Sequence, residues 1–221
     1  MAKLILVRHG QSLWNLRNVF TGWVDIPLSE QGIKEADDAA RKLETIDIDI
    51  AFTSHLIRAQ QTLFIMLSKQ KKVGIMLHDK KKEKNWSLHP KELEKGEIPI
   101  FSSEKINERY YGDLQGKNKD AARKKFGEKK VHEWRRSYDI PPPNGESLKD
   151  TCRRAIPYFT KDILPYLKKG KNVVVAAHGN SLRGIIKHIE NINDEDISGL
   201  ELPTGKPIIY DYSKGMLKKA C

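Results

Sequence analysis

Two histidines in this sequence each stand between a short apolar run and a glycine. The first follows Leu4–Val7 in Arg8-His9-Gly10-Gln11-Ser12, and the second follows Val173–Ala177 in His178-Gly179-Asn180-Ser181. Near neutral pH an imidazole offers an uncharged nitrogen that acts as nucleophile or base. Arg8, beside His9, supplies a planar fork of donors suited to phosphate oxygens, and Gly10 allows a tight turn or close approach to a ligand. One such tripeptide arises easily by chance. Two, each ending an apolar run, point to a single phosphate-handling pocket. Arg58 stands in the first turn of a predicted helix, where a cation opposes the helix dipole unless an anion binds beside it. Glu108 is a candidate general acid or base, and Arg135-Arg136 can clamp a carboxylate or phosphate. Thr21 and Gly22 offer an anion a hydroxyl and an unobstructed amide. Plainer roles stand beside these: an exposed Arg58, a surface Glu108 paired with Arg109, arginines that only satisfy a helix end, and ordinary turn chemistry at Thr21-Gly22.

Positioning these groups is a task for strands and helices. Leu4–Val7 and Val173–Ala177 read as strands, the second continuous enough to be covered on both faces. Ligands of open α/β sheets bind outside the carboxyl ends of strands, so both histidines can reach one pocket. A further strand is expected at Asp49–Thr53 and a last one at Ile208–Tyr212. Ser29 caps a predicted helix running to about Thr45, with Ile33, Ala36, Ala40 and Leu43 on its buried face. Ser54 or His55 opens the next helix. Helices are also predicted over Asn118–Phe126, with Gly127 as its stop, over Glu128–Arg136, and from Leu182 to about Ile189. A longer one from Ser147 carries the stripe Leu148, Cys152, Ile156, Phe159 and Ile163 and is kinked at Pro157. Residues 69–105 read as a long, polar, mobile excursion with one short strand at Val73–Leu77 and a charged run at Asp79–Lys84. The tail from Ser213 to Cys221 reads as polar, basic and mobile.

A chain of 221 residues, 38% apolar and 31% charged, suits one domain with a buried core and a very polar surface. Most of its net charge of +11 comes from two segments: nine lysines against five acids in 69–97, and nine basic residues against three acids in 117–136. Such segments suit nucleic acid or a small, highly charged anion, with a solvated lysine-rich face as the plain alternative. Cys152 and Cys221 form no disulfide framework and no zinc spacing, which points to reduced thiols in the cytoplasm. The N-terminal apolar run is too short for a signal peptide or membrane span.

These residues resemble the histidine phosphatase superfamily and, within it, the cofactor-dependent phosphoglycerate mutases. The resemblance is carried by Arg8-His9-Gly10-Gln11-Ser12 with Asn15, Thr21-Gly22-Trp23 with Asp25 and Pro27-Leu28-Ser29, Thr53-Ser54 with Arg58-Ala59, Asn107-Glu108-Arg109 with Tyr111-Gly112, Trp134-Arg135-Arg136-Ser137-Tyr138, and His178 to Arg183. It implies an α/β three-layer sandwich with a mostly parallel central sheet and helices on both faces, in a single catalytic domain over 1–221. The implied activity interconverts 3-phosphoglycerate and 2-phosphoglycerate without a metal, primed by 2,3-bisphosphoglycerate. By resemblance His9 carries the phosphoryl group, His178 lies opposite, Arg8 and Arg58 hold the phosphoryl oxygens, and Glu108 moves the proton of the substrate hydroxyl. Ser12, Asn15, Thr21, Gly22, Arg109, Tyr111, Lys119, Arg135, Arg136, Gly179 and Asn180 are the implied substrate-binding residues. Small phosphoglycerates are the expected partners, with no membrane and no nucleic acid; a homodimer and a homotetramer both stay open. Two alternatives are a phosphatase that uses water as final acceptor and a non-catalytic nucleic-acid binder. The sequence departs from the family pattern in Tyr110 for the usual His, in Asp113 for a small residue, which adds a negative charge near the site, in a longer stretch between Arg58 and Glu108, and in a short tail.

Overall fold

A computed structural model describes residues 1–78 and 93–220. In chain order the elements are β1 (Ala2–Arg8), α1 (Leu13–Leu16), α2 (Glu30–Leu43), β2 (Ile50–Thr53), α3 (Ile57–Leu67), β3 (Val73–Leu77), β4 (Glu97–Ser102), α4 (Lys119–Phe126), α5 (Glu128–Arg136), α6 (Leu148–Tyr158), α7 (Leu164–Lys168), β5 (Val173–Ala177), α8 (Gly179–Glu190), β6 (Pro207–Ser213) and β7 (Met216–Lys219). They build a mixed sheet of order β3-β4-β2-β5-β1-β6-β7. From β3 to β1 neighbours run parallel; β6 lies antiparallel to β1, and β7 antiparallel to β6.

The register of β1 against β5 runs from Leu4↔Val173 to Arg8↔Ala177. His9 and His178 are the next residue on each strand, so equal register delivers both to the same edge. The His9 amide donates to the Ala177 carbonyl at 2.9 Å and extends that register one residue further. Side chains alternate across the sheet. Leu4, Leu6, Val173 and Val175 pack on one face with Phe159, Ile163, Leu182 and Ile185, while Ile5, Val7, Val174 and Ala176 pack on the other with Ala39, Ala40, Leu43, Leu63 and Met66. The result is the expected three layers. Each Leu, Ile or Val so buried contributes about 1.5–3 kcal/mol, which makes β1 and β5 a stiff base for what they present. A smaller cluster, Phe20, Leu114, Ala122, Val131 and Trp134, fixes α4 and α5 beside the sheet edge. The long helix from Ser147 runs as α6, a π stretch over Phe159–Ile163 and α7, the irregular turn following directly on Pro157.

The structure corrects several expectations. Residues 69–105 are not an excursion throughout: β4 lies between β3 and β2, with Ile98 and Ile100 buried. Pro99 and the flanking acids hid this strand, because proline reads as a strand breaker. The charged run Asp79–Lys84 lies outside the described residues. The tail holds a strand, since Lys214 and Gly215 both adopt positive φ and close a two-residue hairpin that lays β7 on β6. Ile33 is 48% exposed; Gly32 and Ala39 take the buried face of α2 instead. Finally, α3 begins at Ile57 and α8 at Gly179. Among the described residues no helix is long and apolar enough to cross a membrane.

Candidate active site

The His9 ring is 3% exposed, with Nδ1 2.7 Å from the Gly10 carbonyl. A carbonyl only accepts, so Nδ1 carries the proton and Nε2 keeps its lone pair. Burial, then the charges of Arg58 and Arg8, push the His9 pKa well below its ordinary value, so the ring is neutral across the physiological range. The turn that holds it depends on two glycines. A Cβ on Gly10 would fall 2.2 Å from the Gly32 carbonyl oxygen, and one on Gly32 would fall 2.0 Å from the Gln11 oxygen. The Gly10 amide also donates to the Thr62 hydroxyl at 3.1 Å, pinning the turn to α3.

His178 lies beside His9, ring centroids 4.9 Å apart and planes at 60°. Its Nε2 is 2.7 Å from the Ser54 hydroxyl, at the end of β2. Burial, then Arg58 and His9, lower its pKa as well. Arg58 is itself buried; its guanidinium donates to the carbonyls of Gly22 (2.7 Å) and Val24 (3.0 Å), which ties the 21–25 loop over the site. Asp25 closes the same loop by accepting the Ile57 amide at the start of α3. Desolvation draws the Arg58 pKa down to about 10, which leaves it charged at neutral pH. Gly22 has φ +53°, and a Cβ there would meet the Gln115 side-chain oxygen at 2.1 Å. That oxygen accepts the Trp23 amide, so the loop needs this glycine.

Glu108 is buried, and its Oε1 accepts from the Arg109 amide (2.7 Å) and the Asn180 side-chain amide (2.7 Å). Burial raises its pKa, but these two hydrogen bonds and the charges of Arg58 and Arg8 outweigh that and leave the carboxyl below its ordinary range. It is therefore an ionised base at neutral pH. The Asn180 orientation is fixed from the other side, where Arg183 donates to Asn180 Oδ1 at 3.3 Å. The Glu108 segment is held from outside by Arg154, whose guanidinium donates to the carbonyls of Lys105, Asn107 and Glu108 while pairing with Glu146.

These groups open on a cavity of about 220 Å³. Of the expected residues, Arg8, His9, Asn15, Thr21, Gly22, Arg58, Glu108, Tyr111, Lys119, Arg135, Arg136, Gly179 and Asn180 line it. Three expected residues do not. Ser12 is spent as the cap of α1, its hydroxyl accepting the Asn15 amide while Asn15 accepts the Ser12 amide. Arg109 lies behind the wall, donating to the Tyr111 hydroxyl and the Arg135 carbonyl with its guanidinium over the Tyr111 ring. His178, its ring 4.9 Å from that of His9, is not among the residues that line the cavity. Asp113 does not line it either; it is exposed and accepts from the Asn144 side-chain amide. Tyr110 packs edge-on against Trp23. Arg183 and Glu201 line the cavity without having been expected. Arg183 falls three residues after Asn180 on α8, a spacing that puts both on one helix face. No local pattern marks Glu201.

Arg8 Nε and Thr21 Oγ1 are buried in the lining without a protein hydrogen-bond partner. Six cationic lining residues face two carboxylates, Glu108 and Glu201. The lining therefore presents a strongly cationic surface suited to oxygen-rich anions of high charge, together with a bare imidazole nitrogen and an ionised carboxylate.

Comparison with known proteins agrees with this chemistry. A family model of the histidine phosphatase superfamily (branch 1) matches residues 4–89 and 88–219. The chain is 52% identical to a 2,3-bisphosphoglycerate-dependent phosphoglycerate mutase of Methanosarcina acetivorans, over 98% of this chain and 94% of the relative. It is 50% identical to one of Chlamydia pneumoniae, over 99% and 97%. Among solved structures, YhfR of Bacillus stearothermophilus superposes with a TM-score of 0.78 at 22% identity, covering 100% of this chain and 96% of that one.

Proposed function

The chain belongs to the histidine phosphatase superfamily, and from that premise we propose that it interconverts 3-phosphoglycerate and 2-phosphoglycerate through a phosphoryl group carried on His9. The observation that carries this reading is the protonation pattern of the His9 ring: Nδ1 is committed to the Gly10 carbonyl and Nε2 is left bare beside Arg8 and Arg58. The near 50% identity to mutases over almost the whole chain selects the reaction within the superfamily. When bound, 2,3-bisphosphoglycerate supplies the phosphoryl group that primes His9. The unpartnered Arg8 Nε and Thr21 Oγ1 and the cationic lining fit such a multiply charged group.

In each half-reaction the phosphorus–oxygen bond to the sugar-acid breaks as the bond to His9 Nε2 forms, or the reverse. Little covalent chemistry is asked of the protein, because a loose phosphoryl transition state needs positioning and compensation of charge on its equatorial oxygens. Arg8 and Arg58 supply that compensation, and neutral His178 stands beside His9. Glu108 takes the proton of the attacking hydroxyl and returns it to the departing oxygen, so protons balance across the cycle. Lys119, Arg135 and Arg136 hold the carboxylate end, and Asn15, Tyr111 and Asn180 the hydroxyl-bearing middle. A glycolytic reaction of this kind supports a cytoplasmic location.

The test is a two-product assay on 3-phosphoglycerate, following 2-phosphoglycerate and inorganic phosphate together, with chelator, with and without 2,3-bisphosphoglycerate. Chelator-resistant isomerisation that requires the bisphosphate is the expected result. Phosphate release without isomer would instead establish a phosphatase.

A further inference from the structure

Three consecutive residues at the cavity rim engage three different arginines. The Leu200 carbonyl accepts from Arg183 Nε at 2.8 Å, the Glu201 carboxylate pairs with Arg136 Nη2 at 2.8 Å, and the Leu202 carbonyl accepts from Arg8 Nη1 at 2.7 Å. Arg136 Nη1 also donates to the Ser198 carbonyl at 3.3 Å. Both terminal nitrogens of Arg136 are thus engaged by the 198–201 segment. The carbonyl contacts on either side hold the backbone of Glu201 in place, so its carboxylate is presented to Arg136 by construction. Arg136 and Glu201 both line the cavity. Glu201 carries a full negative charge in a lining otherwise made for anions, and the phosphoryl-transfer chemistry at His9 has no use for it.

We propose that Glu201 is a specificity-determining residue: a built-in competitor that occupies Arg136 until the second anionic group of a two-anion ligand displaces it. The inference rests on the reading that the cavity binds phosphoglycerates with their phosphoryl end at His9 and their other anionic end toward Arg135 and Arg136. An anion with a single charged group, seated at Arg8, His9 and Arg58, leaves the Glu201–Arg136 pair intact. A ligand with a second anionic group must break it. Glu201 therefore weakens two-anion ligands selectively and keeps the site from being saturated and held by its own substrate or primer. The pair is partly exposed, the Arg136 side chain 34% and the Glu201 side chain 68%, so the expected effect is the modest one of a solvent-accessible ion pair.

The experiment compares wild type, Glu201→Gln, Arg136→Met and the double variant. It measures KM and kcat for 3-phosphoglycerate, binding of 3-phosphoglycerate by calorimetry, and inhibition by inorganic phosphate. Glu201→Gln is expected to lower KM and the dissociation constant for 3-phosphoglycerate about two- to five-fold, with the change in KM rather than kcat. Inorganic phosphate, the one-anion probe, is expected to bind it as it binds wild type. In the Arg136→Met background the same substitution is expected to have no effect on 3-phosphoglycerate. An unchanged or raised KM in Glu201→Gln would overturn the proposal, a rise meaning that Glu201 holds Arg136 in place for the ligand. Equal tightening of phosphate and 3-phosphoglycerate would overturn it too, since that is a general change in site potential. Failure of wild type to bind or turn over 3-phosphoglycerate would instead refute the functional reading beneath it.

Discussion

His9 and Glu108 are both buried, and the proposed mechanism needs both without a proton: His9 neutral to attack, Glu108 charged to accept one. The geometry meets both. Burial together with Arg58 and Arg8 keeps His9 neutral, and two hydrogen bonds with the same arginines keep Glu108 charged despite its burial. The acid limb of the kcat/KM profile should therefore lie below pH 6.5, the ordinary histidine value. Glu108→Gln should lower kcat by about 10²- to 10⁴-fold, the usual contribution of a positioned acid–base group, with a much smaller change in KM. Stopped-flow assays from pH 5 to 9 check both. At this scale the sequence was informative where chemistry fixes residue type: His9, Arg8, Arg58 and Glu108 were all identified as candidates from their own neighbourhoods. It was silent on direction. Nothing local distinguishes Arg109, which turns away to brace Tyr111 and the Arg135 carbonyl, from Arg136, which lines the cavity. Ser12 shows a related ambiguity, since a hydroxyl beside an anion site is also the natural cap for the helix that follows it.

The elements act through register and close approach. The β1–β5 pairing places both histidines at one edge, and the Gly10–Gly32 contact sets how closely α2 may come to the His9–Gln11 turn. Gly32→Ala should therefore push that turn away. We expect a loss of about 1–3 kcal/mol in stability, the usual cost of overpacking, and a fall in kcat larger than the stability change alone explains. Urea unfolding and saturating-substrate kinetics on the same sample separate the two. The strands that carry the histidines were legible because apolar runs covered on both faces leave an unbroken signature. Strand β4 was not, because Pro99 and its acidic flank break that signature even though Ile98 and Ile100 are buried. Ala36, Ala40 and Leu43 are buried on α2 as expected, but Ile33 is not, because Gly32 takes the place against the 10–11 turn, a tertiary contact with no local trace.

At the scale of the whole molecule, charge and acid stability are the two consequences. The basic excess of residues 117–136 sits on α4 and α5, beside a cavity already lined by cations. A field of that sign steers anionic substrates and is screened by salt. Replacing the exposed Lys124 and Lys125 with glutamate should lower kcat/KM about three- to ten-fold at low ionic strength, and the difference should vanish near 0.5 M salt. For stability, His9 and His178 have folded pKa values depressed below their unfolded ones. The unfolded chain thus binds more protons than the folded one as pH falls below about 6.5, and stability falls from there down to the folded values. Each histidine contributes up to about 1.4 kcal/mol per pH unit across that window. Denaturant titrations at pH 7.5 and 5.5 should show this loss, and it should be smaller in His178→Asn. The layered α/β arrangement came from the family resemblance, and a phosphate pocket at the ends of buried strands was readable from the apolar runs and the residues that end them. The convergence of Arg183 and Glu201 on that site was not, because it depends on how the 198–202 segment folds back across the sheet edge.

In the proposed mechanism His9 Nε2 carries the phosphoryl group between substrates. The direct measurement is to incubate the enzyme with 2,3-bisphosphoglycerate labelled in its phosphoryl groups, quench in alkali, and locate the bound label by peptide mass spectrometry. Stoichiometric label is expected on the peptide containing His9, absent in His9→Ala, and chased into phosphoglycerate product when 3-phosphoglycerate is added before the quench. Label on another residue, or product formed at full rate by His9→Ala with no labelled enzyme, would contradict it.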